Sequence, residues 1–228
     1  MELTATTFVS LDGVMQAPGA PDEDTSGGFP YGGWVVPFSD DDMGAFVAEN
    51  FGRVDAFLLG RRTYDIFSSY WPLVTDPADP VAGPLNTLPK YVVSTTLEKA
   101  EWENTTVISS DVAEEIRRLK SRPGRQLQIH GSGALVRSLM AEGLIDTYHL
   151  LVFPVRLGRG ARLFPEGGTP AAFRTTAART TSTGVVIHTL KPAGPAAFGS
   201  FAAGAEVAAS ATLVAGPPHG LPSTPRPA

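Results

Sequence analysis

Along residues 1–192, two kinds of apolar run alternate. Residues 3–10, 54–59, 90–94, 105–108, 126–130 and 147–153 are short runs, rich in β-branched and aromatic side chains and bounded by turn formers, the pattern of buried strands. Between them, apolar residues recur at helical spacing. Met43, Phe46, Val47 and Asn50 or Phe51 define a helix, running to about Phe51, that Ser39 or Asp40 caps. Thr63 is placed to cap a second, over 64–70, which stops before Pro72. Asp111 caps a third, running to about Lys120 and closed by Pro123-Gly124, and residues 134–142 form a fourth with Gly143 at its C′ position. Strands alternating with helices in this way predict helices packed on a largely parallel sheet. Residues 173–181 and 185–190 flank Thr183-Gly184 and read as an antiparallel hairpin that closes it. Tyr64, Phe67, Tyr70 and Trp71 are spaced to pack a helix on that sheet.

Two segments fall outside the alternation. Residues 16–37 form a long loop carrying Gly19, Gly27, Gly28, Gly32 and Gly33 with Pro18, Pro21, Pro30 and Pro37. Loops beyond about 12–15 residues are uncommon in compact domains unless they cover a site or are disordered, so a functional loop is expected. Its aromatics Phe29, Tyr31 and Trp34 either wall a flat substrate or plug the loop itself. Composition then changes near Pro192: from Ala193 onward the chain is mostly Ala, Gly, Pro and Ser, with Glu206 and Arg226 as its charges. The expected organisation is one folded domain over 1–192 and a flexible tail over 193–228, in which 207–214 is the stretch able to dock as a strand or short helix.

Composition narrows the function. With 43% hydrophobic and 18% charged residues, the chain reads as a soluble globular protein. Eighteen basic against twenty-three acidic side chains give a net charge of −5, the wrong sign for general nucleic-acid binding. The absence of cysteine excludes disulfides, thiolate metal sites and thiol nucleophiles. The apolar stretch 201–216 is interrupted by Gly204, Glu206 and Ser210 and is too short for a membrane span. Residues 1–6 lack the basic and apolar regions of a signal peptide, so a cytoplasmic location is expected. His130, His149, His188 and His219 show no metal-ligand spacing; they read as structural, and no metal is assigned.

Candidate chemistry lies where strands end, because open α/β sheets bind ligands beyond the carboxyl ends of their parallel strands. Gly60-Arg61-Arg62-Thr63, Ser94-Thr95-Thr96 and Gly131-Ser132-Gly133 each follow a strand, and two of the three open a helix. Free N–H groups at a helix start attract anions, glycine lets a ligand approach the backbone, and guanidinium forks match phosphate oxygens. Taken singly, Arg61 and Arg62 also suit a solvated surface pair. Gly131-Ser132-Gly133 also suits a plain turn, since Val136 stands where a dinucleotide fingerprint has its third glycine. Together they point to one extended phosphorylated cofactor.

Four segments, FVSLDGVMQ, FLLGRRTYDIFSSYWP, LQIHGSGALVRSLMAEGLID and LLVFPVRLGRGARLFPEG, occur in this order. The set resembles the dihydrofolate reductase superfamily, specifically its bacterial riboflavin-biosynthesis reductase domains, over about residues 2–191. The resemblance implies a three-layer α/β fold, a mixed and mostly parallel sheet with an antiparallel C-terminal hairpin, and NADPH as cofactor. It implies that Gly60, Arg61, Arg62 and Thr63 meet the cofactor phosphates, that Ser94 and Thr95 lie by the adenosine, and that Gly131, Ser132, Gly133 and Ala134 approach the pyrophosphate. Residues 10–14, with Ser10 and Gly13, would run beside the nicotinamide. Asp42, four residues before Phe46, matches the position of the family's proton-relaying carboxylate, and Asp12 is a second candidate to hold a proton-donating water. The run Asp40-Asp41-Asp42 equally suits a helix cap with charge at the dipole's positive end. The long loop does not read as that of a folate reductase. The expected activity is therefore hydride transfer from NADPH to a small heterocyclic or sugar-linked substrate, pteridine-like or ribosylaminopyrimidine-like. The alternative is a non-catalytic nucleotide-binding regulatory or interaction protein of the same fold. A homodimer is expected, because related domains pair and the C-terminal strands leave an edge.

Overall fold

The computed structural model describes residues 1–76 and 78–201. Its elements are β1 (Glu2–Ser10), α1 (Asp41–Phe51), β2 (Val54–Gly60), α2 (Arg61–Tyr70), α3 (Ala82–Thr87), β3 (Lys90–Val93), β4 (Thr105–Ile108), α4 (Val112–Lys120), β5 (Gln126–His130), α5 (Gly133–Ala141), β6 (Thr147–Phe153), β7 (Ala171–Thr180) and β8 (Val186–Pro195). They build one eight-stranded sheet in the order β4-β3-β2-β5-β1-β6-β8-β7. Strands β4 to β6 across this order are parallel, and β8 runs antiparallel to both its neighbours. This is the mixed sheet with an antiparallel end that the sequence predicts.

Side-chain alternation assigns the two faces of the sheet different tasks. On one, Leu3, Ala5 and Val9 of β1 join Leu127 and Ile129 of β5 in a core closed by Ile116 and Leu119 of α4 and Val136 and Leu139 of α5. The other face is covered by α1, α2 and α3, and its apolar residues form two separate clusters. Phe46, Trp34, Leu151, Phe153 and Ile187 make one; Phe51, Phe57, Leu59, Tyr64, Leu85 and Trp102 make the other. Helix α1 bridges them.

Local signals account for most boundaries. Asp40 caps α1, its Oδ1 accepting from Met43 N at 2.8 Å, and Gly143 takes the left-handed conformation (φ +63°) after α5. Three expectations are corrected. Helix α2 begins at Arg61, with Gly60 at the cap position, so Thr63 lies inside the first turn instead of capping it. Asp111 precedes α4 in a left-handed conformation (φ +48°) and makes no side-chain cap. Strand β8 continues to Pro195, where it pairs with Ala171, three residues past the boundary expected at Pro192. No sequence pattern predicts helix α3, because Gly83 and Pro84 disguise it; Asp79 Oδ1 starts it by accepting from Val81 N and Ala82 N, each at 2.8 Å. The stretch 207–214 lies outside the described residues. No helix among the described residues is long and apolar enough to cross a membrane. The outer edge of β7 has no strand neighbour among them.

Lys90, the first residue of β3, is fully buried. Its Nζ donates to the carbonyls of Leu85 (2.7 Å) and Leu88 (3.0 Å) at the end of α3 and lies 4.6 Å from the centre of the Trp102 ring. Burial lowers its pKa from 10.5 to about 8, with Glu103 opposing the shift. Between those two values the unfolded chain binds the proton more than the folded one, so stability rises with pH across that window. Lys90→Met should lack this rise. The difference between the two proteins should reach ~3 kcal/mol in urea titrations compared at about pH 7.5 and 10.5.

Candidate cofactor and substrate cleft

Strands β3, β2, β5 and β1 end at one edge of the sheet, and a cleft of about 900 Å³ opens there. Its lining includes residues 60–63, 94–96 and 131–134, so the three strand ends singled out in the sequence meet in one site. Thr6 and Phe8 of β1, His130 of β5, Ile66 and Phe67 of α2 and Trp71 just after it complete its inner part, and Met15 with residues 16–19 of the long loop runs along it.

The turns at this edge are joined by one hydroxyl. Gly131 and Ser132 both take the left-handed conformation (φ +66° and +57°), which turns the chain from β5 into α5. This brings Ser132 Oγ to accept from Gly60 N (2.9 Å) and to donate to Thr63 Oγ1 (2.8 Å). The first N–H groups of α5 have no intrahelical acceptor and face a site where glycine leaves the backbone open. A Cβ on Gly133 would stand 2.4 Å from Met15 Sδ, so a larger residue there would push aside the Met15 side chain, which packs on the start of α5 just before the long loop.

The two arginines separate. Arg61 Nε bonds both oxygens of Asp65 (2.8 and 2.9 Å) while Nη1 donates to Thr96 Oγ1 (3.3 Å), which places its guanidinium beside the end of β3. Arg62 Nη1 instead donates to Asp24 Oδ2 (2.6 Å) and Ser26 Oγ (3.2 Å) on the long loop. That loop is held by buried Gln16. Its Nε2 donates to the carbonyls of Asp24 (3.1 Å) and Ser26 (2.9 Å), and its Oε1 accepts from Ala161 N (3.0 Å). Of the loop aromatics, Phe29 and Trp34 are buried in the cluster with Phe46, Leu151, Phe153 and Ile187, and Tyr31 is about half exposed; none lines the cleft. Tyr70, expected to pack on the sheet, is exposed at the end of α2.

Ser10, Asp12, Gly13 and Asp42 do not line the cleft. Asp12 accepts from Ser10 Oγ (2.7 Å), Leu157 N (3.1 Å) and Gly158 N (2.8 Å), tying the turn after β1 to the loop after β6. Burial pushes its pKa up, but these three donors outweigh that and hold it at about 2, so it has no proton to give at neutral pH. Gly13 is left-handed (φ +77°) in the same turn, and Ser10 Oγ also accepts from Val14 N (3.0 Å). Asp42 is exposed and accepts from Ser182 N (2.9 Å), while Asp40 accepts from Ser182 Oγ and Thr183 N (each 2.9 Å). The acidic run thus caps α1 and fastens it to the β7–β8 turn, the plainer of its two readings.

The lining contains groups that sequence patterns did not mark. Glu23 belongs to it: burial raises its pKa, the neighbouring Asp24 adds to this, and amide donors from Gly19 (2.5 Å) and Ala20 (3.2 Å) oppose it. His130 is wedged among the rings of Phe8, Phe51 and Phe67, with centroids 5.6, 5.6 and 5.9 Å away. Burial lowers its pKa to about 4, so it is neutral at physiological pH. The length of the loop was the one signal for Glu23; nothing local distinguished His130 from an edge histidine. Among the described residues no group of three His, Asp or Glu is arranged to hold a metal ion.

The family to which this fold and cleft belong is explicit at residues 2–187, where the chain is a member of the RibD C-terminal domain family. Among curated proteins it is 31% identical to the uncharacterized protein YyaP of Bacillus subtilis over 156 residues, 67% of this chain and 80% of that one. It is 28% identical to YwjB of the same organism over 133 residues, 58% of this chain and 71% of that one. Among solved structures it is similar to a riboflavin biosynthesis protein from Shewanella sp. PV-4 (TM-score 0.60, 22% identity, 84% of this chain and 99% of that one). It is also similar to dihydrofolate reductase from Enterococcus faecalis in complex with NADP(H) (TM-score 0.54, 14% identity, 84% and 96%). At these identities the structures establish the dihydrofolate reductase-like fold.

The neutral His130 has a measurable consequence. Its folded pKa lies below the unfolded value of 6.5, so its stabilising contribution is complete above 6.5 and is lost as pH falls toward 4. His130→Phe should remove on the order of 1–3 kcal/mol of the acid destabilisation in that window, seen in denaturant titrations between about pH 7 and 4. Buried His149, whose pKa burial also lowers to about 4, should retain its share.

Proposed function

We propose that the chain is an NADPH-dependent reductase that transfers hydride to a small heterocyclic or sugar-linked substrate. The observation that carries this reading is the meeting of three anion-adapted strand ends in one cleft, with an arginine at one of them and a helix start at another. The residues fit such a cofactor. The open backbone at 131–134 and the N–H groups of α5 suit a pyrophosphate, and Arg61 with Ser94, Thr95 and Thr96 suits a 2′-phosphate. Bound there, the cofactor would supply the hydride. The chain's part is to hold it in reach of the substrate and to keep water away with the apolar wall of Ile66, Phe67 and Trp71. The substrate class follows from the family resemblance, a pteridine or ribosylaminopyrimidine being its type.

A binding protein without turnover is the second reading. The observation in its favour is that both carboxylates of the lining are engaged, Glu23 by backbone amides and Asp24 by Arg62. Oxidation of NADPH in the presence of a panel of pteridines and ribosylaminopyrimidines separates the two: the reductase reading requires turnover with at least one member.

NADPH and NADH differ by one phosphate, which gives a sharper test. Arg61→Ala should abolish a preference of about tenfold to over a hundredfold for NADPH, the effect of losing a charge-assisted hydrogen bond of roughly 1.5–3 kcal/mol, and the preference should shrink at high salt. Arg62→Ala should change it less, because that guanidinium is turned toward Asp24. Gly131→Val should weaken both cofactors alike, since a side chain at φ +66° is strained and crowds the shared pyrophosphate. Calorimetric titration of each variant with each cofactor reads all three, and tight binding of neither cofactor to the unmutated chain would sink the proposal.

A further inference from the structure

Among the described residues, seven buried side-chain atoms find no hydrogen-bond partner in the protein: Thr4 Oγ1, Thr6 Oγ1, Thr7 Oγ1, Gln126 Oε1, Gln128 Oε1, Gln128 Nε2 and His130 Nδ1. Thr7 shares the face of Ala5 and Val9. The other six share the opposite face, the one beneath α1. They are also in register, since β1 and β5 pair Glu2 with Gln126, Thr4 with Gln128 and Thr6 with His130. The row runs between the two apolar clusters of that face. Helix α1 lies over it, with Phe46 against His149, Phe51 against His130, and buried Asn50 on the turn between them. At one end the row opens on the cleft, whose lining includes Thr6 and His130. At the other it reaches Glu2, partly exposed, which accepts from Thr147 Oγ1 (2.5 Å) and pairs with Lys191 (3.4 Å).

Buried polar groups in native proteins are bonded to protein or to ordered water. Six of these seven atoms form one line. In a sheet, the backbones of paired residues on neighbouring strands are about 4.8 Å apart and those of successive residues of one face about 6.6 Å, and a water bridging two hydrogen bonds of about 2.8 Å spans 5–6 Å. The groups supply both donors and acceptors: the two hydroxyls and the amide of Gln128 can do either.

We propose that this face of the sheet is a built site for a file of ordered water molecules, running beneath α1 from the cleft floor toward Glu2, which carries protons to the reacting end of the cleft. The proton-carrying role rests on the reductase reading. Hydride addition to one atom of an unsaturated bond leaves the other atom to take a proton. Asp12 and Asp42 do not line the cleft, and both carboxylates of its lining are engaged. A water beside Thr6 and His130 would give the proton and be reprotonated by its neighbour, so the net proton comes from solvent at the Glu2 end while two electrons pass from NADPH to the substrate.

High-resolution crystallography together with oxygen-17 relaxation dispersion in solution is the test of the site. Long-lived waters should be found on Thr4, Gln128 and Thr6 in the unmutated chain and fewer of them in Gln128→Leu; isosteric Thr4→Val provides the same comparison if the larger change prevents folding. Finding no long-lived water there would overturn the proposal. For the role, both variants should bind NADPH as the parent does, because neither residue lines the cleft. They should reduce the panel substrate at least about tenfold more slowly, with an enlarged solvent deuterium isotope effect. Waters lost with the rate and isotope effect unchanged would refute the proton-carrying role. A parent chain that turns over no panel member would refute the reductase reading and the role with it, leaving the site to be judged on the water measurements.

Discussion

The hydroxyl of Ser132 holds together the two turns on which the cleft depends. Strands β2 and β5 are hydrogen-bonded neighbours, and their ladder ends at Leu58 and Ile129. The two strands then part, each still paired on its other side through Gly60 and His130, and lead into helices on opposite faces, α2 and α5. The Gly60 N–H finds its acceptor in Ser132 Oγ, and the hydroxyl passes its own proton to Thr63 Oγ1. Ser132 must adopt φ +57° to do so. A left-handed conformation costs a non-glycine residue roughly 1–2 kcal/mol, which two hydrogen bonds of about 0.5–1.5 kcal/mol each offset. The strained residue is therefore kept in place by bonds across the mouth of the site, and the glycines on either side leave room around it.

The same edge sorts the charges of the site. Arg61 and Arg62 are adjacent in sequence but lie on different sides of the first turn of α2, so one reaches Thr96 at the end of β3 and the other Asp24 on the long loop. The loop is anchored where its aromatics are buried, with Trp34 Nε1 bonded to Gln16 O at 2.8 Å, and it is latched where it passes the cleft, through the Arg62–Asp24 pair. Exposed ion pairs contribute little to stability, so this latch fixes position more than it adds free energy.

Parallel strands covered on both faces are usually near-continuous apolar runs. Strands β1 and β5 obey this on the side of α4 and α5, Thr7 apart, and depart from it beneath α1, where threonine, glutamine and histidine replace aliphatic side chains. Helix α1 accommodates the departure by setting Phe46 and Phe51 on the two flanking clusters and Asn50 between them, its Nδ2 bonded to Phe46 O at 3.0 Å. The polarity is thus concentrated along one seam that leads into the cleft.

Hydrophobic periodicity in the sequence determined the strands, the class of sheet and four of the five helices, because burial imposes a period of 2 or 3.6 on nearby residues whatever their distant partners. It also marked the three strand ends of the cleft, since glycine, serine and arginine at a strand end are a local signature. It did not determine α3, the first turn of α2 or the last residues of β8, which rest on Asp79, Ser132 and pairing with β7. The parts of Asp12 and Asp42 were decided by the tertiary structure alone: their acceptor oxygens meet amides 140 to 146 residues away, at Ser182, Leu157 and Gly158. So was the placing of Glu23 and His130 in the cleft. A carboxylate or an imidazole has the same local sequence signal whether it meets a ligand, a backbone amide or water, and only the folded chain brings the partner that decides among them.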